Sequence, residues 1–209
     1  MQTDVILISS NGTAMENALA QADLVADYKH LSHQEALHLR LLTEEMVGMM
    51  RSITGETKGK FWIEDESGEF RLHLAVETKM TGEKREQLLA ASTSGKNESA
   101  KGLMGRIRDF IDRGADKEAA RTSGISLPIG FLPRSEGTAQ SMNTTEYWEW
   151  SMRKYEEAIQ HQLQADTAHS GAKEAWDELE KSVVAHVADD VKVSIRGKQT
   201  EVTIIKKFN

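Results

Sequence analysis

Cysteine is absent from the sequence. That excludes a disulfide framework and any thiolate metal site, and it fits a reducing, cytoplasmic compartment. Proline occurs only twice, at Pro128 and Pro133. Both lie in one stretch, so the rest of the chain is open to long regular elements. No apolar run approaches the roughly 20 residues that a membrane helix needs, so no membrane contact is expected. The start, Met1-Gln2-Thr3-Asp4, lacks a basic stretch followed by a long apolar run, and no signal peptide is expected. No cluster of Lys and Arg offsets the net charge of -7. A surface that tracks nucleic-acid phosphates is therefore not expected.

What is there suits an ordinary folded chain. The 209 residues are 39% hydrophobic and 28% charged, which provides both a core and a solvated surface. Val5 to Ile8 reads as a strand ending in the turn Ser9-Ser10-Asn11-Gly12. Met15, Leu19, Ala22 and Val25 recur at helical spacing over residues 14–28. Ser32 with Glu35 predicts a capping box. It opens a long helix over about 33–54, with Leu39, Leu42, Met46, Met49 and Ile53 on one face and Gly55 at its end.

Two extended runs follow, Lys60 to Glu66 and Glu69 to Glu77, with Ser67-Gly68 as a hairpin turn. In the second run Phe70, Leu72, Leu74 and Val76 alternate with Arg71, His73, Ala75 and Glu77. This alternation predicts a strand with one face on a core. Helices are expected over 82–92 and 99–113, separated by a loop at Thr93 to Asn97. Residues 114–143 hold both prolines and read as extended; within them, 114–140 should be the first target of limited proteolysis. Asn143 with Glu146 suggests a cap for a helix over about 144–165, with Trp148, Met152, Tyr155, Ile159 and Leu163 as its stripe. A last helix is expected over 172–188, with Trp176, Leu179, Val183 and Val187 on one side. The chain closes on a second hairpin, Val191 to Ile195 and Glu201 to Lys206, turning at Gly197-Lys198.

Three stretches, in this order, resemble the GHKL (histidine-kinase-like) ATPase superfamily, and within it the anti-sigma-factor-type serine kinases. Leu41 to Met49 is similar to that family's N box on the long helix. The hairpin Phe61 to Glu77 stands where the family leads into its Asp-x-Gly-x-Gly motif. Lys101-Gly102-Leu103-Met104-Gly105 is similar to the later glycine box, and Val191 to Lys206 to the family's last two strands. The likeness spans roughly 1–112 and 172–209. It implies an α+β two-layer sandwich, with a mixed, mostly antiparallel sheet and helices on one face. The core would be 1–113 and 171–209, with 114–170 an insertion or helical arm.

The resemblance also implies a site. Glu45 would activate water as the general base, with Glu44 beside it. Met49 stands where the family's Asn meets magnesium, and Glu77 where its Asp reads adenine. Lys79 and Thr81 replace the two motif glycines. Gly102 and Gly105 open a helix whose backbone N–H groups suit phosphate, with Gly95, Lys96 and Lys101 nearby. Ser94-Gly95-Lys96 is not a P-loop, because Ala90 and Asn97 break that pattern. The expected function is an ATP-binding regulatory protein with weak or lost catalysis, a serine-kinase-like or degenerate ATPase acting on a protein partner such as a regulator or sigma-like factor. The alternative is a non-catalytic interaction module that has lost nucleotide. His30, His33 and His38 read as solvated helix-end side chains rather than zinc ligands. Tyr147, Trp148 and Trp150 read as core.

Overall fold

The computed structural model describes residues 1–9, 13–54, 58–77, 147–164, 170–196 and 199–208. The helices expected over 82–92 and 99–113, the segment 114–140, and the turns at Gly55 and Gly197-Lys198 lie outside the described residues. The described elements run β1 (Ile6–Ser9), α1 (Thr13–Tyr28), α2 (His33–Thr54), β2 (Lys58–Glu66) and β3 (Glu69–Glu77). After these come β4 (Tyr147–Ser151), α3 (Met152–Gln164), α4 (Ser170–Leu179), α5 (Val183–Val187), β5 (Asp190–Arg196) and β6 (Gln199–Lys207).

The strands form one six-stranded sheet in the order β1-β2-β3-β6-β5-β4. Every pairing is antiparallel, so the sheet among the described residues is not mixed. The two hairpins that alternate in the same way do share it. β3 pairs with β6 along its full length, from Glu69↔Lys207 to Glu77↔Gln199. The period of two explains why. Phe70, Leu72, Leu74 and Val76 all point to one face, and so do Val202 and Ile204 across the seam. Each such side chain, fully buried, contributes about 1.5–3 kcal/mol.

Helices cover that face. Leu39, Leu42, Met46, Met49 and Met50 of α2 join the strand residues in a single core, with Ala18, Ala22 and Val25 of α1. Ser32 and Glu35 form the expected capping box: Glu35 accepts from the Ser32 backbone N–H at 2.8 Å, and Ser32 Oγ accepts from the Glu35 N–H at 3.4 Å. Gly59 lets α2 come close to the sheet. A Cβ there would lie 2.9 Å from Leu74 Cδ1 and 3.0 Å from Met50 Sδ. At the β2–β3 turn Ser67 and Gly68 have φ of 53° and 86°, the two positive values that a two-residue hairpin of primed type requires.

The region after residue 146 differs from the expectation in two places. Tyr147–Ser151 is a strand, not the first turn of a helix, and it pairs with β5 from Tyr147↔Arg196 to Ser151↔Lys192. Alternating aromatic and polar residues suit a strand, and Trp150 is buried in the core. The helix begins only at Met152, where Ser151 Oγ accepts from the Lys154 N–H at 3.4 Å and Asp190 accepts from the Arg153 N–H at 3.1 Å. Met152, Tyr155 and Ile159 do lie on its buried side. Part of the segment expected as an insertion thus completes the sheet edge and packs into the same core. The helix expected over 172–188 is two helices. Ser182 caps the second by accepting from the Ala185 N–H at 3.3 Å. The break changes the phase, so Val184 is buried while Val183 is 46% exposed.

Candidate functional site

Among the described residues, the sequence-predicted site residues fall on two sides of the sheet. Glu44, Glu45 and Met49 ride on α2. Glu44 is exposed and Glu45 half-buried, while Met49 is only 2% exposed and belongs to the core. Four residues apart, Glu45 and Met49 share a helix face: a carboxylate at the surface flank and a thioether beneath it. Gly95, Lys96, Lys101, Gly102 and Gly105 lie outside the described residues.

Glu77 stands apart from the α2 residues. It ends β3 opposite Gln199, in phase with His73 and Ala75, and so on the sheet face turned away from the helices. The structure therefore does not bring Glu77 together with Glu45 and Met49. Nor do the described residues fit magnesium at the position that the resemblance suggests. A hard cation needs oxygen ligands, whereas Met49 offers a buried soft sulfur. Among the described residues no group of three or more His, Asp or Glu is placed to hold a metal ion. His30 and His33 are exposed and His38 half-buried.

The face away from the helices carries an arrangement that sequence reasoning missed. His73, 8% exposed, stacks on Trp62 with ring centroids 4.7 Å apart and planes 1° from parallel. Its Nδ1 lies 2.9 Å from Glu201 Oε1 and 3.3 Å from Thr203 Oγ1. Its Nε2 lies 3.5 Å from Glu64 Oε2, and the Trp62 indole N–H donates to Glu64 Oε1 at 3.1 Å. The cluster ties β2, β3 and β6 together on the polar side. The one signal for it was His73 among the polar positions of an alternating strand. Its partners depend on the β3–β6 register.

Glu201 also borders an open cavity of about 300 Å³ over β4, β5 and β6. The short side chains of Ser194 and Thr203 leave room between Glu149, Lys192, Arg196 and Glu201. Cross-strand pairing sets the pattern: Ser194 faces Glu149 on one side and Glu201 on the other. Lys192 and Arg196 stand two residues away along β5 in either direction, hence on the same face. Carboxylates thus flank Ser194 across the strands, and cations flank it along the strand.

A third polar group sits where β5 meets α3. Ser151 Oγ donates to Asp190 at 3.1 Å, and both residues are buried. Burial pushes the Glu156 carboxyl above its usual range, and the neighbouring Asp190 and Glu157 carboxylates add to the rise. No helix among the described residues is long and apolar enough to cross a membrane. Compared with known proteins, the chain matches no family model and no curated relative.

Proposed function

We propose that the chain is an ATP-binding regulatory protein of the anti-sigma kind, acting through a protein partner in the cytoplasm, with weak nucleotide affinity and weak or lost catalysis. One observation carries the reading. Two hairpins far apart in sequence pair as β3 and β6, and the helix bearing Glu45 and Met49 packs on the face they share. The resemblance implies a sheet with helices on one face, and this arrangement supports the reading. Fold similarity alone does not supply chemistry, and Met49 removes an oxygen ligand for magnesium. Binding should therefore lean on contacts other than the metal.

A second reading, an interaction module without nucleotide, is favoured by the position of Glu77 across the sheet from Glu45. Calorimetric titration with ATP separates the two. The first reading expects a dissociation constant on the order of 0.1 mM, about 5.5 kcal/mol, little changed by magnesium. Heat indistinguishable from dilution would leave the second. Micromolar, magnesium-dependent binding, or turnover lost in Glu45→Ala, would overturn both.

A further inference from the structure

We propose that the cavity around Ser194 is a binding site for a small zwitterion of the amino-acid or short-peptide class. Its charge pattern selects the ligand. A simple anion drawn to Lys192 or Arg196 also meets the carboxylates of Glu149 and Glu201; a simple cation meets the reverse. Only a ligand carrying both signs gains from both sets of groups. The lining supplies hydroxyls at Ser194 and Thr203 for hydrogen bonds and includes no apolar residue, which disfavours a greasy ligand. A volume of about 300 Å³ lies at the small end of ligand sites, the size of an amino acid or dipeptide.

Two features prepare the site. Glu201 is held by His73 at 2.9 Å, and His73 is held by its stack on Trp62. A carboxylate fixed in this way loses little freedom when it takes an ammonium group. Lys192 makes no ion pair among the described residues, so its ammonium is available to a ligand carboxylate. The cavity lies across the sheet from α2. The outcome here is therefore independent of the nucleotide reading.

The test is calorimetry on the full chain with L-glutamate, L-lysine, glycine and glycylglycine, and with acetate and ethylamine as single-charge probes. At least one zwitterion should bind with a dissociation constant on the order of 1 mM or tighter, and both single-charge probes at least about tenfold more weakly. Lys192→Met and Ser194→Phe, the second filling the cavity, should each weaken binding at least about tenfold. Their circular dichroism should match the parent; if Ser194→Phe does not fold, Lys192→Met and the single-charge probes decide. No saturable heat from any zwitterion up to about 20 mM would overturn the proposal. So would equal affinity for acetate or ethylamine, or unchanged binding in a folded variant.

Discussion

His73 on β3 holds Glu201 on β6 at 2.9 Å, across 128 positions of the chain. The contact joins the first hairpin to the last on the polar side of the sheet. Removing one partner leaves the other, the buried His73 or the half-buried Glu201, without this hydrogen bond, which costs about 1–3 kcal/mol. His73→Ala and Glu201→Ala should each lower stability to urea by such an amount. The double variant should lose less than the sum, because the two side chains act as a unit. Full additivity in a double-mutant cycle would show that the contact contributes nothing of its own.

At Gly59 the side chains of β3 and Met50 of α2 crowd the backbone of β2. A methyl group there would press on Leu74 and Val76, side chains of the core, and on Met50. Gly59→Ala should destabilise the fold by about 1–3 kcal/mol through overpacking, despite the strand's preference for a side chain. Thermal denaturation reads this directly. An unchanged melting temperature would place α2 farther from the sheet.

His30 takes a left-handed conformation at φ 54°, where α1 ends and the Leu31 N–H reaches back to Ala26 O at 3.0 Å. A side chain at that position costs about 1 kcal/mol, and glycine is the usual residue there. His30→Gly should leave the melting temperature unchanged or raise it by a few degrees. A clear loss of stability would mean that the imidazole makes a favourable contact.

Two carboxylates set opposite pH dependences. Burial works to raise Asp65, yet hydrogen bonds from Lys29 and the Gly68 N–H, with the charges of Lys29 and the Met1 ammonium, hold it below its usual value. Its contribution is present above the ordinary carboxylate range and is lost as pH falls through the lowered value. Glu156 is raised above its ordinary 4.5. Its contribution is complete below that value and is lost as pH rises through the raised one. At pH 7 Glu156 is therefore a liability. Glu156→Gln should raise the melting temperature at pH 7, with the gain shrinking toward pH 4. A gain independent of pH would rule out the carboxylate's charge as its cause.

Much of the sheet was legible because alternation has only two phases. Leu72 and Leu74 against His73 and Arg71 assign the faces of β3 without any partner. The same reasoning failed at Trp148, which fits a helical stripe with Met152 and Tyr155 and equally fits, with Trp150, the period of two of a strand. What separated the two was the edge of β5, available for pairing, and Ser151 as a later cap. The candidate site was less legible. Local sequence placed Glu45 and Met49 on one helix face, and they are there. The alternation of β3 already sets Glu77 in phase with Arg71 and His73; what local sequence could not say is that Glu45 and Met49 pack on the opposite, Leu72 side. The ring around Ser194 depends on three strands whose neighbours lie far apart in sequence.

We propose that the α2 layer, with Glu45 at its flank, is where nucleotide engages this fold. Methyl NMR on methionine-labelled protein tests it most directly, since Met46, Met49 and Met50 sit in that helix as native reporters. Titration with ATP should shift the Met49 methyl resonance, with a midpoint on the order of 0.1 mM and the same course with and without magnesium. No shift at any α2 methionine up to about 5 mM ATP, or shifts confined to methionines elsewhere in the chain, would contradict it.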